Sequence, residues 1–133
     1  MQKLIRAVSF CTTLLLCLIA VESSAIEGKA VVLQGLDKVT ARVSTIEVAI
    51  GDTVRFGSLQ IVPRACGRTP PEEPPESTVY LDITDLRPGG APLDLFHGWM
   101  FASSPALNAL EHPVYDVWVL ECKVLVGDEV QQR

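Results

Sequence analysis

The chain has 133 residues, of which 48% are hydrophobic and 20% charged, and its formal net charge is −5. This apolar content excludes an intrinsically disordered chain, and the length leaves room for one small domain beside a leader segment. Lys and Arg are scattered among the acidic residues, so the chain has no electrostatic footprint for nucleic acid or anionic lipid. A nucleotide-binding fold or a second catalytic domain would not fit this length.

Residues 1–25 have the pattern of a secretory signal peptide. Lys3 and Arg6 form a short basic region, and an apolar run follows it. Ser23 and Ala25 then supply small side chains at the −3 and −1 positions of a cleavage site. The pattern predicts export to the periplasm with cleavage after Ala25.

Two alternatives for this leader are weaker. A membrane anchor would need roughly 20 apolar residues, and the apolar run is shorter than that. A lipoprotein would be anchored at Cys17, but the preceding residue is Leu16, where such signals need a small side chain. Residues 26–133 hold no second apolar run of spanning length, so we expect a single β-rich periplasmic domain without a transmembrane span.

The domain at 26–133 keeps two of the four cysteines, Cys66 and Cys122. An even count in an oxidising compartment predicts one disulfide between them. A metal pair and a reactive thiol are the alternatives. Neither cysteine has a second Cys or His at ligand spacing, which disfavours a metal site.

The first half of the domain shows the patterns of short strands. Val39, Ala41 and Val43 alternate with polar residues, and the parity then changes, which predicts a bulge near residues 44–45. Gly57–Ser58 is typical of a two-residue hairpin turn. Pro63 is expected near an edge or a strand end, because it cannot donate to a ladder.

The second half begins with a long loop and continues with further strands. Residues 67–77 contain four prolines and three glutamates, which predicts an extended, solvated loop that could meet a basic partner. A short helix is expected at 104–111, with Ser104 as its N-cap. Residues 115–126 read as the longest strand, central and buried on both faces. Five to seven short antiparallel strands and one helix predict an all-β sandwich or barrel.

The aromatic residues concentrate in one part of the chain, between residues 96 and 118. Trp and Tyr are enriched at interfaces, where a surface is apolar and still forms hydrogen bonds. A small core built from a few large rings is the competing interpretation. We predict that a partner contacts the following residues: Trp99, Phe101, Leu107, Tyr115 and Trp118.

Catalytic and metal sites have little support in the sequence. A nucleophile, a base and an orienting acid can be assembled on paper from Ser103 or Ser104, His112 and Asp116, but a Gly-x-Ser-x-Gly motif is missing. His97 and His112 lack ligand spacing to each other or to a carboxylate pair. The sequence therefore predicts neither an enzyme nor a bound metal or cofactor.

Two long blocks of the chain resemble a known family. They read LQGLDKVTARVSTIEVAIGDTVRFGSLQIVPRAC, ending at Cys66, and GWMFASSPALNALEHPVYDVWVLEC, ending at Cys122. Both are similar to the alphaproteobacterial domain-of-unknown-function family numbered 2155, whose members carry signal peptides. The resemblance implies an envelope location in a Gram-negative cell and carries over no activity.

These observations favour a non-enzymatic envelope protein of the periplasm that acts by binding or assembly, with another envelope protein as its partner. A small periplasmic hydrolase and a structural protein that contacts peptidoglycan or lipid are the alternatives.

Overall fold

The computed structural model describes residues 25–126 and 129–130. The predicted signal peptide lies outside these residues except for Ala25, so its cleavage stays a prediction. No helix in the described ranges is long and apolar enough to cross a membrane. The strands are β1 Ile26–Glu27, β2 Ala30–Asp37, β3 Arg42–Ala49, β4 Val54–Phe56, β5 Leu59–Arg68, β6 Ser77–Asp85, β7 Leu93–Phe101, β8 Tyr115–Lys123, β9 Leu125–Val126 and β10 Glu129–Val130.

Eight of these strands form two antiparallel sheets, which is one strand more than the predicted five to seven. The five-stranded sheet has the order β1-β5-β6-β7, with β4 also paired to β5, and the three-stranded sheet has the order β3-β2-β8. Buried apolar side chains from both sheets form one core, as in a sandwich. β9 and β10 pair with each other in a separate two-stranded antiparallel sheet.

The inner side of β6 shows how the sequence builds this core. Val79, Leu81 and Ile83 are fully buried, while the residues between them point to the outer side of the sheet. β5 and β7 pair with β6 on its two sides, which makes β6 a central strand. The alternation of apolar and polar residues over 79–83 is the pattern of a strand with one buried side.

The predicted strand through Val39, Ala41 and Val43 is wrong for Val39 and Ala41, and only Val43 lies in a strand, β3. Residues 38–41 form the turn between β2 and β3, and Val39 is 76% exposed. Asp37 Oδ1 accepts hydrogen bonds from the amides of Val39 and Thr40, which fixes this turn locally. β2 and β3 pair without interruption, so the bulge predicted near residues 44–45 is also absent.

The hairpin turn predicted at Gly57–Ser58 is confirmed, since Phe56 pairs with Leu59 across it. Gly57 has a φ of 57°, and a Cβ at this position would overlap the ring of Tyr115. Glycine is required here both by the backbone conformation and by the close approach of that ring.

Pro63 lies in the middle of β5, contrary to the prediction of an edge or strand end. Its carbonyl accepts a hydrogen bond from the Gly51 amide, outside the ladder with β6. Since the N–H and C=O of one strand residue point to the same side, the missing N–H costs no bond to β6. Arg64, which follows, is the extra residue of a bulge between Pro63 and Ala65.

Two predictions about the C-terminal half need correction. β8 pairs only with β2 and lies at the edge of the three-stranded sheet, with one face buried, so it is not a central strand. The predicted helix over 104–111 is a single 3-10 turn, Pro105–Leu107, and the Ser104 side chain makes no capping bond. The connection instead inserts Leu110, 3% exposed, into the core.

Cys66 on β5 and Cys122 on β8 form a disulfide that joins the two sheets, with Cα atoms 5.8 Å apart. Both cysteines are buried. Gly28 passes directly over the bridge, where a Cβ would overlap both sulfurs. The covalent link therefore lies inside the sandwich and is shielded by backbone.

Candidate functional site

The outer side of the five-stranded sheet carries a row of aromatic and charged side chains. Neighbouring positions of β6 and β7 share this side, because Tyr80 pairs with Trp99 and Asp82 pairs with His97. Their chain neighbours point inward and form the core. We call this surface the outer aromatic face; it comprises Arg64, Tyr80, Asp82, His97, Trp99 and Phe101.

Trp99 is the most conspicuous residue of this face. The residue is 43% exposed and lies near the C-terminal end of β7, an edge strand of the five-stranded sheet. The Tyr80 ring packs edge-on against it, with centroids 5.5 Å apart and planes at 83°. Asn108 Nδ2 donates a hydrogen bond of 2.9 Å to the Trp99 carbonyl. The indole therefore packs against Tyr80 while much of the residue stays open to solvent.

Next to Trp99, a row of polar and charged side chains runs across β5, β6 and β7. Arg64 Nε donates to Asp82 Oδ2 at 2.6 Å, and His97 Nδ1 lies 2.7 Å from Asp82 Oδ1. Asp94 lies at the far end, with its Oδ2 3.9 Å from His97 Nε2. One carboxylate thus contacts the Arg64 guanidinium and the His97 imidazole through separate oxygens.

This geometry changes how the two groups titrate. Hydrogen bonds from His97 and then Arg64 hold the pKa of Asp82 below its ordinary value, against a smaller effect of burial. The hydrogen bond to Asp82 raises the pKa of His97 above 6.5. At mildly acidic pH the face therefore combines an open indole with a protonated imidazole.

The structure separates the five residues predicted to contact a partner. Trp99 and Phe101 share the outer aromatic face, and Leu107, 73% exposed, lies in the 3-10 turn that follows β7. Trp118 lies on the outer side of the other sheet, paired with Gln34. Tyr115 packs against the core. A single patch made of all five residues does not exist.

Tyr115 belongs to a buried polar cluster at one end of the sandwich. The His112 ring stacks on it with centroids 5.2 Å apart, and the Phe56 ring meets it edge-on at 5.5 Å. His112 Nδ1 accepts the amides of Val114 and Tyr115, so its proton must lie on Nε2, which is 3.2 Å from Asp85 Oδ2.

Asp85 is the member of this cluster that the sequence analysis missed. Its side chain is 6% exposed, and that of His112 is 10% exposed. The neighbouring Ser58 hydroxyl, and after it His112, hold the pKa of Asp85 below its ordinary value, although burial opposes them. Its Oδ1 completes no hydrogen bond of normal geometry within the described residues. Asp85 lies two residues after Ile83, on the same inner side of β6. This two-residue spacing is the sequence pattern that could have identified it as buried.

The residues considered for catalysis are not assembled around one another. His112 uses both ring nitrogens as described above, with Asp85 rather than Asp116 as its carboxylate. Asp116 pairs with Leu36 on the outer side of β8. Within residues 25–126, neither Ser104 nor Asp116 forms a hydrogen bond with His112.

The two histidines considered as metal ligands also lie apart, His97 on the outer aromatic face and His112 in the buried cluster. In the part of the chain that the structure describes, no group of three or more His, Cys, Asp or Glu side chains could hold a metal ion.

These features define a small two-sheet antiparallel β-protein with one disulfide and an exposed aromatic sheet face. The chain belongs to the family described as "Uncharacterized protein conserved in bacteria (DUF2155)", whose model matches residues 31–122. The resemblance found in the sequence is thereby confirmed.

One curated relative is the "Uncharacterized protein RP359" of Rickettsia prowazekii (strain Madrid E). It is 30% identical over 87 residues, which are 65% of this chain and 56% of the relative. The chain thus spans about half the length of this curated relative. No solved structure matches the chain.

Proposed function

We propose that this chain is an exported envelope protein that binds a protein partner through the outer aromatic face and does no catalysis. The observation that carries the proposal is the exposure of Trp99, whose ring packs against Tyr80 on the paired strands β6 and β7. A large aromatic ring that is ordered before binding loses little conformational entropy when a partner covers it. Trp, Tyr and Arg are also the residue types that dominate binding energy at protein interfaces.

Several features of the surrounding residues support this role. Phe101 and the exposed Leu107 extend the apolar surface beyond Trp99. Arg64, Asp82 and His97 form a polar margin on the other side of the ring. An apolar centre with a polar rim is the usual arrangement of a protein-binding surface.

Site-specific photocrosslinking in living cells tests the proposal. A photoreactive phenylalanine analogue at position 101 should give one discrete protein adduct, whereas the same analogue at Val39, exposed in the turn between β2 and β3, should give none. Adding Trp99→Ala should remove the adduct and leave the melting temperature within a few degrees. Equal labelling from both positions would contradict the proposal, as would an adduct that survives Trp99→Ala.

Export is tested separately by the N-terminus of the purified protein. We expect Edman sequencing of protein from the periplasmic fraction to begin at Ile26, because Ser23 and Ala25 fit the −3 and −1 positions of a cleavage site. Replacing Ala25 with a bulky residue (Ala25→Phe) should block processing at this site, and Ala30→Phe should not. An intact leader on the native protein would contradict cleavage.

A further inference from the structure

A groove lies on a different part of the surface, beside the loop of residues 69–76. It has a cavity volume of about 690 Å³. The loop forms one wall, and Ile26 of β1 and the exposed edge of β8 line the remainder. A smaller adjoining depression extends it past Leu120 towards Ala102 and Ser103. We call this surface the loop groove.

A β-bulge places an apolar side chain in the loop groove. Val32 pairs with Glu121 and Leu33 pairs with Val119, so Leu120 is an extra residue without a partner on β2. Bulges re-aim side chains in this way. Leu120 is 41% exposed and lines both parts of the groove.

The loop wall is held in a fixed position. Thr69 Oγ1 donates to the Pro74 carbonyl, and the Thr69 amide donates to the Glu76 carbonyl. Glu76 Oε1 accepts the amides of Ser77 and Ser103, while its Oε2 accepts the Ser103 hydroxyl. The wall is therefore preorganised by bonds at both of its ends.

Apart from the guanidinium of Arg68, the residues that line the groove leave few hydrogen-bond donors free. Pro70, Pro71 and Pro75 have no N–H, and the donors of Thr69 and of the Ser77 amide are used within the protein. Burial raises the pKa of Glu76, but its hydrogen bonds to Ser103 and the neighbouring amides bring it below 4.5, so the carboxylate stays charged.

The charged residues that line the groove favour a cationic ligand. Glu76 and Glu121 line the groove with Glu73, and Arg68 is the one cation among the lining residues. A second copy of this chain, with a net charge of −5, would be repelled. A ligand that brings cationic donors and an apolar side chain would complement the carboxylates and Leu120 together.

We propose that the loop groove binds an extended, arginine- or lysine-bearing segment of a partner protein. Its cationic side chains lie against Glu76 and Glu121, and an adjacent apolar side chain covers Leu120. This site is independent of Trp99, so the two proposals can fail separately.

Fluorescence anisotropy with labelled peptides tests this proposal. The probe is a five-residue peptide, acetyl-Leu-Arg-Val-Arg-Leu-amide, and the reference peptide carries Glu at both Arg positions. We expect saturable binding of the cationic peptide to the purified protein at low salt, weakened by added salt because exposed charges are screened. The acidic peptide should not bind.

Matched variants assign the binding to the groove. Leu120→Ser should weaken binding about tenfold, since it removes a contact worth the burial of a Leu side chain. Val39→Ser, an exposed apolar residue on the turn between β2 and β3, should have no effect. Glu121→Gln keeps the packing intact and should weaken binding a few-fold at low salt, unlike Glu111→Gln outside the groove.

Three results would overturn the proposal: no binding of the cationic peptide, equal binding of the acidic peptide, or equal affinities of Leu120→Ser, Glu121→Gln and the unmodified protein. Trp99→Ala should bind the cationic peptide normally, which separates this site from the outer aromatic face.

Discussion

Among single residues, His97 and Asp82 show how a register decides the chemistry of a surface. They face each other because β6 and β7 pair at this position, and their hydrogen bond of 2.7 Å links the pKa values of both groups. We expect the pKa of His97, followed by NMR, to lie above 6.5 and to return towards that value in Asp82→Asn. Asp94→Asn is the control and should change it less, because Asp94 acts only across 3.9 Å.

The same pair predicts a pH dependence of stability. The pKa of Asp82 is lowered in the folded state. The stability that its carboxylate contributes is therefore present above about pH 4 and is lost as the pH falls through the folded-state pKa. The pKa of His97 is raised in the folded state. The stability that the imidazolium contributes is therefore present below about pH 6.5 and is lost as the pH rises through the folded-state pKa. The difference in stability between the native chain and His97→Ala should be largest between these limits. A difference independent of pH would contradict this assignment.

At the scale of secondary-structure elements, hydrogen bonds of the His112 side chain fix the connection between β7 and β8. This side chain satisfies two backbone amides and one buried carboxylate oxygen at the same time. His112→Ala would leave these groups without partners, and we expect it to lower the free energy of unfolding by about 2–4 kcal/mol in urea denaturation. Asp116→Asn, with no side-chain hydrogen bond in the described chain, should change it by less than about 0.5 kcal/mol.

The contrast between these two variants also bears on the hydrolase alternative. If His112 acted mainly as a catalytic base for Ser104, its replacement would leave the unfolding free energy nearly unchanged. A large loss of stability instead supports its role in fixing the start of β8.

For the whole molecule, the disulfide is the covalent link between the sheets. It closes a sequence separation of 56 residues, for which the chain-entropy model gives about 4 kcal/mol of stabilisation. We expect the intact mass of the unreduced protein to be about two daltons below that of the reduced protein. The double variant Cys66→Ala, Cys122→Ala should unfold at lower urea concentration by an amount that corresponds to this loss. Alkylation of either cysteine without prior reduction would contradict the bond.

The difference between Trp99 and Trp118 marks the limit of sequence analysis for the site. Both residues stand in strongly apolar segments, and the sequence groups them as one cluster. The alternation along each strand predicts which neighbours share a side, but not which sheet contains the strand. Because β7 joins β6 and β8 joins β2, the two indoles lie on different sheets.

Local patterns in the sequence were sufficient for several features. The inward alternation of β6, the Gly57–Ser58 hairpin and the all-β class follow from side-chain period and turn chemistry, which act between neighbouring residues. Patterns of the same kind failed at residues 38–41, where Asp37 hydrogen bonds form a turn despite the alternating apolar residues. They failed again at β8, which is apolar on both faces but is an edge strand whose outer side, with Trp118, is only partly buried.

The sequence by itself determined the fold class, the family, and the residues available for a disulfide and for an aromatic surface. The tertiary structure alone decided that Asp85 meets His112, that Arg64 and Asp82 join His97 beside Trp99, and that Leu120 enters a groove beside the proline-rich loop. Each of these contacts depends on strand order, register or a bulge. Such features are set by the simultaneous packing of distant segments, to which the period of a single strand is insensitive.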